Sequence, residues 1–401
     1  MSSLISGTDC LKPDPIRSFV RKANDLEKET GRKIVRLNIG QPDLPPGRIL
    51  EAYKRGLVSS DVVESSKYPP AEGLPELREA IARMEGRCFG VDAPDSRVYV
   101  TLGGCGALKF TFKVLGAREG KRKNLIAMAP GWGVISNFTW EYEVETRFAR
   151  LETPDGKFDA NLAQEMLNED TVAIYVNSPN NPTGSILAEK TVRDILSFAE
   201  DNDIWVISDE AYQHLIHAGL EDHTSFMKYE EYTDRVFKCI SFSKILKPNI
   251  RLGGLLLPRG LDDDVMASFF TALRNEGAGV SAESQSGALE VLRVDPGLSY
   301  MGEVAQGYKE KVDIAKQILL DAGCVFESYN NPLASFYLFP RTPFEDSREL
   351  TEILLNEGVS VVPGTSFHLD SHIRIAIGAN MTPGEVEEGT KRVAATLEKV
   401  R

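Results

Sequence analysis

Through the middle of the chain, short apolar runs alternate with amphipathic stretches, and the apolar period switches between strand-like and helical. The β-rich runs are Arg97 to Thr101, Asn124 to Ala129, Thr171 to Asn177, Ile204 to Ser208 and Val236 to Ser241. Between them, Ala188 to Asn202 places Val192, Ile195, Leu196 and Ala199 at helical spacing, and an earlier helix starts at Pro75 with Leu77, Ile81 and Met84 on one face. Strand, helix and strand at these lengths predict βαβ units and a largely parallel sheet covered on both faces. After about Gln285 the pattern changes to longer helices, Gly287 to Val294 and Gly302 to Ala322, then to short strands at Ser335 to Phe339, Val359 to Val362 and Ile373 to Ile377. That change predicts a second, smaller α+β domain. The opening segment, Ile16 to Gly40, reads as a helix and a strand that return to pack on it. The expected division is 1–50, 51–287 and 288–401.

Composition narrows the function. With 46 Lys and Arg against 59 Asp and Glu, the 401 residues carry a net charge of −13. That balance, without a local basic stripe, disfavours nucleic acid as a partner and favours a small molecule. No apolar run is long enough to cross a bilayer. The N-terminus lacks a basic, then apolar, secretory leader and meets Pro13 and Pro15, which reads as cytoplasmic. Cys10, Cys88, Cys105, Cys239 and Cys324 are odd in number and never paired as C-x-x-C, so neither a disulfide framework nor a zinc site is expected. The five histidines, His214, His217, His223, His368 and His372, show no metal-ligand spacing.

In an open parallel sheet, ligands bind beyond the carboxyl ends of the strands. Here the first run leads into Gly103-Gly104-Cys105-Gly106, whose backbone can approach an anion at a helix N-terminus. The second leads to Pro130-Gly131-Trp132 and the third to the turn Ser178 to Gly184, which contains Asn181. The fourth leads to Asp209-Glu210-Ala211-Tyr212, and the fifth to Ser241-Phe242-Ser243-Lys244 with Arg251 seven residues later. Singly, each has a structural explanation: a tight turn, a helix cap, a core tryptophan, a solvated lysine, an inert buried thiol at Cys105. Their ordered recurrence at one end of successive strands is what points to a site.

This ordered set resembles the class I/II aminotransferases, the fold-type-I enzymes that use pyridoxal 5′-phosphate (PLP). The likeness runs from LNIGQPD (Leu37 to Asp43) through YPPAEGLPELREAI (Tyr68 to Ile81), TLGGCGAL, APGW, NSPNNPTG, SDEAY and SFSKILKPNIRLGG to IRIAIG (Ile373 to Gly378). The resemblance implies an α/β fold with a large PLP-binding domain, a mainly parallel seven-stranded sheet between helices, and a smaller α+β domain. It implies that Lys244 holds the PLP aldehyde and moves the substrate proton, that Asp209 faces the ring nitrogen, and that Tyr212 and Asn181 bond the ring oxygen. Trp132 matches the stacking aromatic, while Gly103, Gly104, Cys105, Ser241, Ser243 and Arg251 match the phosphate cradle. Tyr68 matches a tyrosine that reaches the phosphate from the partner subunit, implying a homodimer with shared sites. Arg374 matches the grip on the substrate α-carboxylate, with Gly40 in the loop that closes over it.

Departures from the family pattern bear on the substrate. Gly106 and Gly131 stand where polar and aromatic residues are frequent, and Asn275 to Ser281 is unusually glycine-rich. No second arginine is assigned to a side-chain carboxylate, and Lys113 and Arg274 read as solvated. The expected reaction is amino transfer from an α-amino acid to a 2-oxo acid. Elimination, cyclisation or oxidation on the same cofactor is the alternative, and a non-catalytic effector domain is a further one.

Overall fold

The computed structural model describes residues 15–59, 61, 67–116, 123–153, 156–275 and 279–400. Cys10, Pro13 and residues 276–278 of the glycine-rich stretch lie outside them. The opening segment forms the helix Pro15–Thr30 and then β1 (Val35–Arg36). The main sheet comprises β2 (Val98–Thr101), β3 (Lys123–Met128), β4 (Val144–Ala149), β5 (Thr171–Asn177), β6 (Trp205–Asp209), β7 (Val236–Ser241) and β8 (Gly253–Leu256). Its order is β2-β8-β7-β6-β5-β3-β4. Pairing is parallel from β4 across to β7, and β8 runs antiparallel to both its neighbours, β7 and β2. The carboxyl ends of β2, β3, β5, β6 and β7 therefore share one edge, together with the amino end of β8.

The continuous apolar character of β5, β6 and β7 follows from cover on both faces. Ile174, Val176, Val206, Val236 and Ile240 belong to one core, with residues of the helices Pro75–Phe89 and Glu189–Asp201. Tyr175, Ile207, Phe237, Cys239 and Leu255 belong to a second core, closed by Phe110 and Phe112 of the helix Gly103–Gly116 and by Phe269. Because side chains alternate along a strand, Asp209 projects to the face of Ile207, while Ser208 and Glu210 project to the opposite one. β4 escaped the sequence pattern because it is an edge strand of partly exposed residues, VETRFA, with charges interspersed.

In the C-terminal third, the helices Ala282–Val294, Tyr300–Asp321, Ser347–Asn356 and Pro383–Lys399 accompany β9 (Tyr337–Leu338), β10 (Val359–Ser360), β11 (Val362–Pro363) and β12 (Ile373–Ala376). β1 pairs in parallel with β10, Val35 opposite Val359, and β11, β12 and β9 form an antiparallel sheet. The helix expected from Gly287 begins at Ala282, where the Ser281 hydroxyl accepts from the Ser284 N–H. Its polar first turn hid it from the apolar pattern. No helix among the described residues is long and apolar enough to cross a membrane.

Candidate active site

The shared sheet edge opens into a cavity of about 380 Å³. Gly40, Gly104, Cys105, Trp132, Asn181, Asp209, Tyr212, Ser241, Ser243, Lys244, Arg251 and Arg374 all line it, so the strand ends named from the sequence do converge. Gly103 lies just behind, with the Arg251 guanidinium 3.1 Å from where its Cβ would stand. Tyr68 does not line the cavity and is 92% exposed in the single chain.

Asp209 ends β6 at the cavity floor. Its Oδ2 accepts from the Tyr175 hydroxyl at 2.8 Å and its Oδ1 from the Ala211 N–H at 3.2 Å. No cation forms an ion pair with it among the described residues, and burial pushes it up to about 6 despite those two hydrogen bonds, with the Glu210 charge adding to the rise. Asn177, two residues beyond Tyr175, secures the same corner: its amide donates to the Asp209 carbonyl at 2.8 Å and its Oδ1 accepts from the Asn181 N–H at 2.8 Å.

Lys244 stands on a single turn of helix, Phe242–Ile245, that follows β7. Its ammonium donates to the Gly40 carbonyl at 3.0 Å and lies 5.2 Å from the centre of the Tyr212 ring. The Tyr212 hydroxyl is 2.9 Å from the Tyr337 hydroxyl. Arg374, on β12, is buried between the rings of Tyr337 and Phe367. It donates from one nitrogen to Asn181 Oδ1 and from the other to the Asn38 carbonyl, each at 3.0 Å. With its oxygen committed to Arg374, the Asn181 amide is left with its NH₂ to donate.

Beside Lys244 the cavity gathers groups able to donate to an anion. The Ser243 hydroxyl is buried without a partner, and Ser241, Arg251 and the N-terminus of the helix Gly103–Gly116 adjoin it. Gly253 is required here, because a Cβ at that position would lie 2.4 Å from the Gly103 carbonyl carbon. Burial raises the Cys105 thiol above its ordinary value, so it is a neutral wall and not a thiolate. None of the described cysteines, Cys88, Cys105, Cys239 and Cys324, is in a disulfide.

The residue alternation conceals two members of this set, Tyr175 and Tyr337. Tyr175 carries a signal, since a buried strand of aliphatic residues holds one phenol whose hydroxyl needs a partner. Tyr337 carries none beyond lying in an apolar run.

A parallel-centred α/β sheet with a lysine, a carboxylate lacking an ion-pair partner and an anion cradle at its switch edge defines an enzyme of the fold-type-I kind. Residues 32–393 match the family model for aminotransferase class I and II, and the chain belongs to that family. It is an aminotransferase, and the family implies PLP as its cofactor. Among its relatives, a probable aspartate/prephenate aminotransferase of Aquifex aeolicus is 27% identical, covering 99% of each chain. An aspartate aminotransferase of Pyrococcus horikoshii is 26% identical over 97% of this chain and 95% of that one. The fold is also that of the Thermus thermophilus aspartate aminotransferase solved with maleate (TM-score 0.86, 24% identity, 99% and 100% coverage).

Proposed function

We propose that this chain binds PLP in the cavity at the sheet edge and uses it to move an amino group from an α-amino acid to a 2-oxo acid. The observation that carries the reading is the convergence of Lys244, Asp209 and the unpartnered Ser243 hydroxyl on one cavity. The residues fit the cofactor: Asp209 is a buried carboxylate without an ion-paired cation, and a protonated ring nitrogen supplies one. Ser241, Ser243, Arg251 and the amides of Gly103, Gly104 and Cys105 would hold the phosphate, and Trp132 would cover the ring.

When bound, PLP supplies an electron sink for the pair left behind at the substrate Cα. Lys244 is the amine that would hold the cofactor aldehyde, and its amino group would carry the proton taken from the substrate Cα. Asp209, held by Tyr175, would keep a proton on the ring nitrogen. Tyr212 and Asn181 donate to the ring oxygen. Arg374 presents a fork that orients the substrate α-carboxylate, so that the bond to the leaving proton faces Lys244. The Arg374–Asn181 hydrogen bond joins that clamp to the ring-oxygen donor. Gly40 closes the cavity over Lys244.

Other features of the chain support further parts of the same proposal. Tyr68, a large aromatic in solvent, fits a homodimer in which it completes the partner's site. The pairing of β1 with β10 fits an N-terminal segment that belongs with a small domain, 288–401, against a large domain, 51–287. Cysteines outside any disulfide among the described residues fit a reducing compartment, the cytoplasm. The relatives' names make aspartate the first donor to test.

The test is to give the PLP-loaded protein one amino acid at a time without an acceptor. Transamination yields one equivalent of 2-oxo acid per site and stops. Continued release of ammonia or a cyclised product assigns elimination or cyclisation instead.

A further inference from the structure

Behind the strand ends, on the sheet face away from the cavity, lies a buried ionic cluster that the proposed reaction does not use. Lys238 stands between Val236 and Ile240 on the inner face of β7, fully buried. Its ammonium is paired with Glu85, from the helix Pro75–Phe89, and with Glu210 at 3.0 Å, and it also donates to the Ser225 hydroxyl at 2.9 Å. Glu85 and Glu210 are themselves fully buried. Glu210 accepts in addition from the Ser208 hydroxyl at 2.9 Å, the Ser225 hydroxyl at 3.0 Å, the Phe226 N–H at 3.1 Å and His223 Nε2 at 2.9 Å. The Gln213 amide donates to Glu85 at 2.6 Å.

The geometry has one consequence for the cavity. Glu210 and Gln213 bracket Ala211 and Tyr212, and both are tied to the same Glu85–Lys238 pair. The turn that follows Asp209 and carries Tyr212 is thus bolted, at either flank, to a helix and a strand through the sheet. Burying two carboxylates and an ammonium carries a large desolvation cost, and a well-packed apolar replacement would often be as stable. Stability alone is therefore a weak reason for the cluster.

We infer that Glu85 and Lys238 are positioning residues that hold Asp209 and Tyr212 in register with the bound cofactor. The inference rests on the proposed function, in which those two groups face the ring nitrogen and the ring oxygen. Around Asp209 stand Tyr175, Ala211, Glu210, Cys239 and Lys244, and around Tyr212 stand Tyr337, Arg374, Asp209 and Lys244. Lys238 faces Glu85, Glu210, His223 and His214, the last kept neutral by burial, which lowers it to about 3. The positive charge of Lys238, with the His223 hydrogen bond, holds Glu210 down at about 2, and the carboxylates in turn raise Lys238, so both keep their charges through the working pH range. Their effect on the cavity is thus through position and not through titration of their own.

The test uses the PLP-loaded enzyme and two variants, Glu85→Gln and the double change Glu85→Leu with Lys238→Met, which removes both charges together. The visible absorption band of the bound cofactor is titrated against pH. With Tyr212 and Asp209 less firmly placed, the deprotonated form of the band loses hydrogen-bond support, so its midpoint should rise by roughly half a pH unit or more. With the best donor, kcat should fall about tenfold while KM stays within twofold. Should Glu85→Gln not fold, the double variant carries the measurement. A folded variant with lowered thermal stability but unchanged midpoint and kcat overturns the inference and leaves the cluster a packing feature. If the wild-type protein itself shows no cofactor band, the failure belongs to the proposed function and not to the positioning role.

Discussion

Asp209 is a buried carboxylate with no ion-paired cation among the described residues, so its environment carries a cost that a bound cation would offset. Its carboxyl is raised from the ordinary carboxylate range to about 6 by burial. A group raised on folding favours the folded state when protonated, so its contribution is present below pH about 4 and is lost as pH rises through 6. Cofactor-free Asp209→Asn should therefore be more stable than cofactor-free wild type at pH 8, by at most a few kcal/mol, since each tenfold change in proton affinity is worth about 1.4 kcal/mol. The difference should shrink as pH falls from 7 to 4, as denaturant titrations at several pH values would show; a difference independent of pH would contradict it. With PLP and substrate, the same variant should lose turnover on the order of a hundredfold or more, since a preorganised group is removed. Arg374→Lys keeps the charge but not the fork. It should depress kcat/KM for α-amino acids far more than for a simple amine, and equal losses would remove the carboxylate role.

Among the elements, the sheet edge depends on β8 approaching β2 and its following helix closely. Gly253→Ala would push a methyl into the Gly103 carbonyl, where backbone and not a flexible side chain must move. We expect a loss of roughly 2 kcal/mol or more in stability, a typical size for overpacking, with weakened PLP affinity measured by fluorescence. Wild-type affinity would mean that this approach is not needed. The strands also show why so much was legible. β5, β6 and β7 announce themselves as apolar runs because both faces are covered, and each ends in a polar cluster because the next residue meets the cavity. What stayed hidden was either exposed, like the edge strand β4, or set by contacts distant in sequence. Tyr337 meets Tyr212 across 125 positions and Glu85 meets Gln213 across 128, and neither pairing leaves a local period. Lys238 is a charge inside an apolar run, and only the carboxylates opposite it explain its presence.

For the whole molecule, the single chain leaves Tyr68 in solvent while its cavity gathers the other residues assigned to the cofactor, with Gly103 just behind it. The proposed homodimer with shared sites would account for that residue. Mixing an inactive Tyr68 variant with an inactive Lys244 variant should restore activity in the hybrid dimer, in which one site has both groups intact. No recovery after subunit exchange, or full activity in a dilute monomer, would contradict the shared site.

Every role assigned to the cavity presupposes that Lys244 carries the cofactor, and reductive trapping can decide this. The purified protein is loaded with PLP, treated with borohydride and digested, and the adduct is located by mass spectrometry. One modified peptide is expected, with the cofactor on Lys244 and one equivalent per chain. An adduct on Lys247 or any other lysine, or none on a protein that still transfers amino groups, would contradict the assignment.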